Sequence, residues 1–214
     1  MSRVIGIFGG TFDPIHFGHL RPALELQERL GLAQVRLLPC GVPPHRGTPM
    51  VAAEHRLAMV ARAVAGVPGL TVDDRELRRD GPSYMVDTLQ SLRAELGETP
   101  LCLLLGADAF LGLHRWHLWQ ALPELAHLVI AHRPGWALAP AAMAPELAAL
   151  MAGRQVDTAA ALAAEPAGRL LLQPVTQLAI SSTAIRELIE AGRSPRFLLP
   201  ETVLEYIEQH TLYS

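Results

Sequence analysis

No stretch of this 214-residue chain is uncharged and apolar over the length of a membrane span. Its start enters an apolar run almost at once, without the charged n-region and apolar h-region of a signal peptide. Both absences predict a cytoplasmic protein with no membrane partner. Basic residues form no run and the formal net charge is −3, so the extended cationic footprint of a nucleic-acid binder is missing. Any anion chemistry must therefore be local. Only two cysteines occur, Cys40 and Cys102, each ending or lying within an apolar strand-like run. They exclude a disulfide framework and read as small hydrophobes with no assigned chemistry. No repeat is evident. What the chain does have is apolar bulk: half of its residues are hydrophobic, enough for a large core in one main domain.

That bulk alternates between strand and helix patterns. Val4 to Phe8, Val35 to Pro39, Leu101 to Leu105 and Leu128 to Ala131 read as strands bounded by Gly or Pro, with Thr71-Val72 and Leu170 to Leu172 as shorter ones. Helical spacing recurs from Leu20 to Leu30, Glu54 to Val64, Tyr84 to Leu96 and Thr183 to Glu190, and a closing helix begins at Pro200. Such alternation predicts an α/β fold, a doubly wound parallel sheet with helices on both faces. The chain is expected to be a single domain over 1–214, with a core over 1–180 and a C-terminal helical segment over 181–214. An Ala/Pro-rich insert at about 136–168 breaks the rhythm, with one or two helices expected after Pro140 and Pro145 and no obvious chemistry. In this architecture ligands bind beyond the C-terminal ends of the strands.

The segment Gly9-Gly10-Thr11-Phe12-Asp13-Pro14-Ile15-His16-Phe17-Gly18-His19-Leu20 lies at one such end, between the first strand and the first helix. Backbone N–H groups at a helix start lack intrahelical partners, and the helix dipole adds partial positive charge, so the junction attracts anions. Two glycines let backbone approach a phosphate, and His16 and His19, three residues apart, can face one side and donate to its oxygens. Taken singly these residues are a turn, a cap at Asp13 and surface histidines; jointly they form a phosphate cradle. Zinc is the other chemistry open to paired helical histidines, but the Glu of H-E-x-x-H is missing, and no metal site is assigned. A second capped helix start, Ile180-Ser181-Ser182-Thr183-Ala184-Ile185-Arg186, puts Arg186 on the face of Thr183 and makes a second anion site.

The first motif resembles the H-x-G-H signature of the nucleotidyltransferase superfamily, and the second resembles the I-S-S-T-x-I-R block of its adenylyltransferase branch. The resemblance implies a Rossmann-like sheet. Four more blocks, lying between these two in family order, resemble those of nicotinate-nucleotide adenylyltransferases. Pro43-Pro44-His45-Arg46 is similar to their Pro-Pro-His block, with Arg46 where Lys is usual. Pro82-Ser83-Tyr84-Met85-Val86-Asp87-Thr88-Leu89 is similar to P-S-Y-T-x-D-T-L, with Met85 for the usual Thr, so a hydroxyl contact is lost there and a backbone one survives. Gly106-Ala107-Asp108 with Trp116, then His132-Arg133-Pro134-Gly135, are similar to the G-x-D, downstream Trp and R-P-G.

The resemblance implies adenylyl transfer from ATP to nicotinate mononucleotide, giving deamido-NAD and pyrophosphate in NAD biosynthesis. ATP would then meet Gly9, Gly10, Thr11, Phe12, His16, His19, Gly106, Asp108, Arg133, Ser182, Thr183 and Arg186. Nicotinate mononucleotide would meet His45, Arg46, Tyr84, Met85, Val86 and Trp116. The acceptor phosphate is already anionic at pH 7, so in-line attack needs no protein base and the catalytic roles fall to His16, His19 and Arg186. Mg²⁺ is expected with ATP and takes few protein ligands. The segment from Gly41 to Pro49 is expected to move on binding. Other readings are a nicotinamide mononucleotide or phosphopantetheine acceptor, and a catalytically silent nucleotide-binding module. The sequence leaves open whether the chain is a monomer or a homo-oligomer.

Overall fold

The computed structural model describes residues 3–44, 47–135 and 143–214. Seven parallel strands form one sheet in the order β3-β2-β1-β4-β5-β7-β6: β1 Ile5–Gly10, β2 Gln34–Pro39, β3 Leu70–Val72, β4 Leu101–Gly106, β5 His127–His132, β6 Gln155–Val156 and β7 Leu170–Pro174. Helices α1 Phe17–Leu30, α2 Ala53–Val64, α3 Met85–Leu96, α4 Ala107–Leu111, α5 Leu122–Leu125, α6 Pro145–Arg154, α7 Ser182–Glu190 and α8 Glu201–Gln209 connect or close it.

Side chains alternate across a strand, and the two faces of this sheet divide its apolar residues accordingly. Val35, Leu37, Cys102, Leu104, Val129 and Ala131 join Ala23, Leu26 and Leu30 of α1, Met59 and Val60 of α2 and Val203, Leu204 and Ile207 of α8 in one core. Ile5, Ile7, Leu101, Leu103, Leu105, Leu128 and Ile130 join Val86, Leu89 and Leu92 of α3, Phe110, Leu122 and Leu147 in the other. The strands read from the sequence are all present, burial on both faces explaining their near-continuous apolar runs.

The chain runs outward from β1 to β3, then returns to place β4 on the other side of β1. Crossovers leave β1 and β4 in opposite directions, which opens a crevice at their C-terminal ends. Register sets Gly10 opposite Pro39 and Gly106 opposite Ala131 along this edge.

Some boundaries differ from the sequence reading. Pro200 is the residue before α8 rather than its first member, and Tyr84 precedes α3. The insert supplies α6 at Pro145 and a two-residue strand, β6, too short to show a period; Pro140 lies outside the described residues.

Glu25 of α1, with 2% exposure, joins α1 to the segment after β7 that leads toward α7. It accepts from the Thr176 N–H at 3.0 Å and from Arg21 Nε at 2.7 Å. Burial alone would push this carboxyl up, but the Thr176 and Arg21 bonds outweigh it and pull it down to about 2. With the folded value below the unfolded one, its contribution is complete above about pH 4.5 and is lost as pH falls through about 2. Glu25→Gln should therefore cost on the order of 2–3 kcal/mol at pH 7. In urea unfolding, the gap between variant and wild type should close as pH falls to 2; a gap independent of pH would contradict this role.

Candidate active site

The turn between β1 and α1 is shaped by close approaches. Phe12 takes the left-handed conformation (φ 50°) and buries its ring, edge-on to His19 at 5.2 Å between centroids. A methyl added at Gly10 would stand 2.8 Å from that ring. One added at Gly18 would meet His16 Cε1 at 2.8 Å and the Ile180 carbonyl at 3.0 Å, so the glycine of H-x-G-H lets α1, the His16 ring and the approach to α7 share one space.

His16 caps α1 with extended backbone, and its carbonyl accepts from the N–H groups of His19 and Leu20. Its ring stacks on His19 with centroids 3.8 Å apart and 28° between planes. Burial pushes His16 down to about 4, so the imidazole is neutral at pH 7, and its buried Nδ1 has no hydrogen-bond partner among the described residues. The two histidines do share one side of the helix start, as their spacing requires.

Helix α7 is clasped to the same turn. Ser181 caps it by accepting from Ala184 N at 3.1 Å, Ser182 Oγ donates to the Pro14 carbonyl at 2.9 Å, and Arg186 Nη1 donates to the Asp13 carbonyl at 2.7 Å. Arg186 Nη2 also reaches Thr183 Oγ1 at 3.4 Å. The cap is thus Ser181, and the block read as a second anion site is joined to the first.

Behind the turn lies Arg56 of α2, 1% exposed. Its Nη1 donates to the Thr11 and Cys40 carbonyls at 2.8 and 2.7 Å, and its Nη2 to the Gly41 carbonyl at 3.1 Å. Sequence reasoning missed it. The signal was an arginine at the core-facing register of an amphipathic helix, three and four residues before Met59 and Val60.

The start of α3 forms the neighbouring wall. A methyl at Gly9 would stand 2.8 Å from Met85 Cε, which brings the glycine turn and the α3 start together. Gly41 N donates to Ser83 Oγ at 2.9 Å, and Thr88 Oγ1 donates to Glu76 Oε1 at 2.7 Å. Glu76 is buried and pushed up by that burial. Thr88 and Ser83 of the S-Y-x-x-D-T-L block therefore hold this carboxyl, a second residue the sequence reading passed over. Tyr84 and Met85 pack with Trp116 against one core, and the Tyr84 ring lies 4.3 Å from that of His117.

A cleft of about 160 Å³ at the C-terminal ends of β1, β4 and β5 is lined by Phe8, Gly18, Gly106, Arg133, Gln177 and Leu178, among others. Arg133 Nε donates to Gln177 Oε1 at 3.2 Å. Asp108 sits in the first turn of α4 rather than at a strand end, and is exposed. The Phe12 and Val86 side chains are core residues, so only their backbones can face a ligand. His45 and Arg46 lie outside the described residues. A larger cavity of about 630 Å³ opens at the opposite end of the sheet. Its arginines are already engaged: Arg93 by the carbonyls of Leu125, Gly97, Thr99 and Pro166, Arg154 by Glu124 and Arg169 by Glu165.

Residues 7–188 match the model of the cytidylyltransferase-like family. A protein of Aeromonas salmonicida named "Probable nicotinate-nucleotide adenylyltransferase" is 50% identical over 100% of this chain and 98% of its own length. One of Pseudomonas aeruginosa with the same name is 53% identical, again over 100% and 98%. Among solved structures, the Plasmodium falciparum nicotinic acid mononucleotide adenylyltransferase complexed with NaAD superposes with a TM-score of 0.74 at 15% identity, covering 98% of this chain and 97% of that one.

The buried, neutral His16 gives a direct test. Its ring protons should titrate in NMR with a midpoint of about 4, and addition of a polyphosphate should raise that midpoint, because nearby negative charge favours the imidazolium. An ordinary midpoint near 6.5 in the ligand-free protein would contradict the placement.

Proposed function

Since the chain belongs to the cytidylyltransferase-like family, and within it to the nicotinate-nucleotide adenylyltransferases, we propose that it transfers the adenylyl group of ATP to nicotinate mononucleotide, giving deamido-NAD and pyrophosphate. The observation that carries the reading is the joining of two anion-binding helix starts: Arg186 and Ser182 of α7 donate to the Asp13 and Pro14 carbonyls of the turn that presents His16 and His19. All of 1–214 is taken to act as one domain.

The reaction follows from placing charges. An oxygen of the acceptor phosphate attacks the ATP α-phosphorus in line, and the bond to the bridging oxygen breaks as pyrophosphate leaves with its electron pair. The attacking oxygen is anionic at pH 7, so no side chain removes a proton. His19 binds the α-phosphate as charge grows on it, with neutral His16 donating to neighbouring oxygens. Arg186, oriented by Asp13 and Thr183, takes the leaving pyrophosphate. The Gly9, Gly10 and Phe12 backbone, with the Thr11 and Thr183 hydroxyls, completes the cradle, while the cleft at Gly106 and Arg133 suits adenosine. Among the described residues no group of three or more His, Cys, Asp or Glu forms a metal cage, a donor set that fits a cation held by phosphate oxygens and water. Mg²⁺ with ATP would supply charge neutralisation on the triphosphate.

Specificity for the acid is assigned to the start of α3, where backbone N–H groups of a helix of 12 residues favour a carboxylate. Tyr84, Met85 and Val86 stand there, with Trp116 offering a flat apolar face to the pyridine ring and His45 and Arg46 assigned to the mononucleotide phosphate. No helix of the described residues is long and apolar enough to cross a membrane.

Pyrophosphate release from ATP and Mg²⁺ should be much faster with nicotinate mononucleotide than with nicotinamide mononucleotide or phosphopantetheine. Equal use of both pyridine nucleotides would remove the carboxylate site, and ATP binding without turnover on any acceptor would establish a silent module. His19→Ala should lower kcat by about two to three orders of magnitude with modest loss of ATP affinity. Unchanged turnover would end that role.

A further inference from the structure

The residue at the centre of the β1–α1 turn is Asp13, and its carboxylate faces the protein with 6% exposure. It accepts from the Tyr213 hydroxyl at Oδ1 (2.7 Å) and from the Met50 N–H at Oδ2 (2.8 Å), while its carbonyl takes Arg186 at 2.7 Å. Three segments distant in sequence thus meet on one residue: the chain's last turn, the end of the segment following β2, and α7. Tyr213 is buried as well. After α8 the backbone passes through the left-handed region at Thr211 (φ 50°) and again at Tyr213 (φ 67°). Non-glycine residues seldom adopt this conformation, and here it returns the last aromatic side chain to the interior. Burial, with the Asp13 carboxylate beside it, pushes the phenol far above its ordinary range, so it stays a donor. Arg186 and Arg56 act on it in the opposite sense and are the other charges nearby.

We propose that Tyr213 is a positioning residue for the reaction: by holding the Asp13 carboxylate it fixes Arg186, which grips the leaving pyrophosphate, and Met50, which ends the 41–50 segment on the acceptor side. The inference rests on the function proposed above. Without the hydroxyl, one oxygen of a buried carboxylate loses its donor. The carboxylate then turns toward Arg56 or Arg186, and both the Met50 bond and the carbonyl that orients Arg186 shift with it.

Tyr213→Phe removes the hydroxyl and keeps the ring. With ATP and nicotinate mononucleotide, kcat should fall between about tenfold and a hundredfold, the range expected when aligned groups drift by a fraction of an ångström to an ångström. The KM values for both ATP and the mononucleotide should rise severalfold, through Arg186 and Met50 respectively, and Asp13→Asn/Tyr213→Phe should be no worse than the poorer single variant, as for two groups acting through one contact. A merely structural tyrosine would lower active enzyme in proportion to the unfolded fraction and leave both KM values alone; that result, or unchanged kinetics, overturns the proposal. Should Tyr213→Phe not fold, Asp13→Asn is expected to give the same rise in both KM values, and its absence counts equally against the link. Amide hydrogen exchange over 41–50 reads the same connection without turnover. Faster exchange in the Phe variant supports it even if wild type proves to use another acceptor, and unchanged exchange refutes it.

Discussion

The site depends on the capture of backbone carbonyls by side-chain donors. A planar trans peptide points its C=O and N–H in opposite directions. Where Arg56 holds the carbonyls of Thr11 and Gly41, and Ser182 that of Pro14, the N–H groups of Phe12, Val42 and Ile15 are turned the other way. Elements far apart in sequence therefore fix the edge against which a polyphosphate would lie. Three of the carbonyls belong to one arginine because a guanidinium offers five donors in a rigid fork. The chain has no lysine, so its 18 basic residues are all arginine. Arg93 does the same at the opposite end of the sheet, gathering four carbonyls.

This construction explains why the chemistry needs so little of its side chains. No described group is set up as a covalent nucleophile. Cys40, beside Thr11, is pushed up by burial and holds its proton. His16 is neutral for the same reason, so in the proposed mechanism it would contribute a directed hydrogen bond rather than a standing charge. In the proposed mechanism the charge would come from Arg186, whose direction is set by a carbonyl at one nitrogen and the Thr183 hydroxyl at the other. Preorganised donors of this kind need no rearrangement as charge develops on phosphorus, which is where electrostatic catalysis gains most.

The parts of the fold and site legible in the sequence are those with a period or a local signature. Both-face burial made β1, β2, β4 and β5 apolar runs, and the helix starts declared themselves through glycine, serine and paired histidines. The pairing of the histidine turn with the I-S-S-T-x-I-R block was legible only by resemblance, since nothing local says that Arg186 reaches a carbonyl 173 positions away. Arg56, Glu76 and Tyr213 escaped because each acts inward. An arginine on an amphipathic helix, an acid in a loop and a tyrosine at the chain's end all look like surface residues until burial shows what they hold. Asp13 taken singly resembles a cap, but His16 caps α1 and Asp13 ties the turn to the rest of the chain.

In the proposed mechanism this site accelerates a direct displacement by holding phosphates in line. The stereochemical course at the α-phosphorus tests it most directly, using ATP carrying a single-configuration α-phosphorothioate and reading the configuration of the dinucleotide formed. Inversion is the predicted result, from one in-line attack. Retention would require two displacements through a covalent adenylyl-enzyme and would contradict the account.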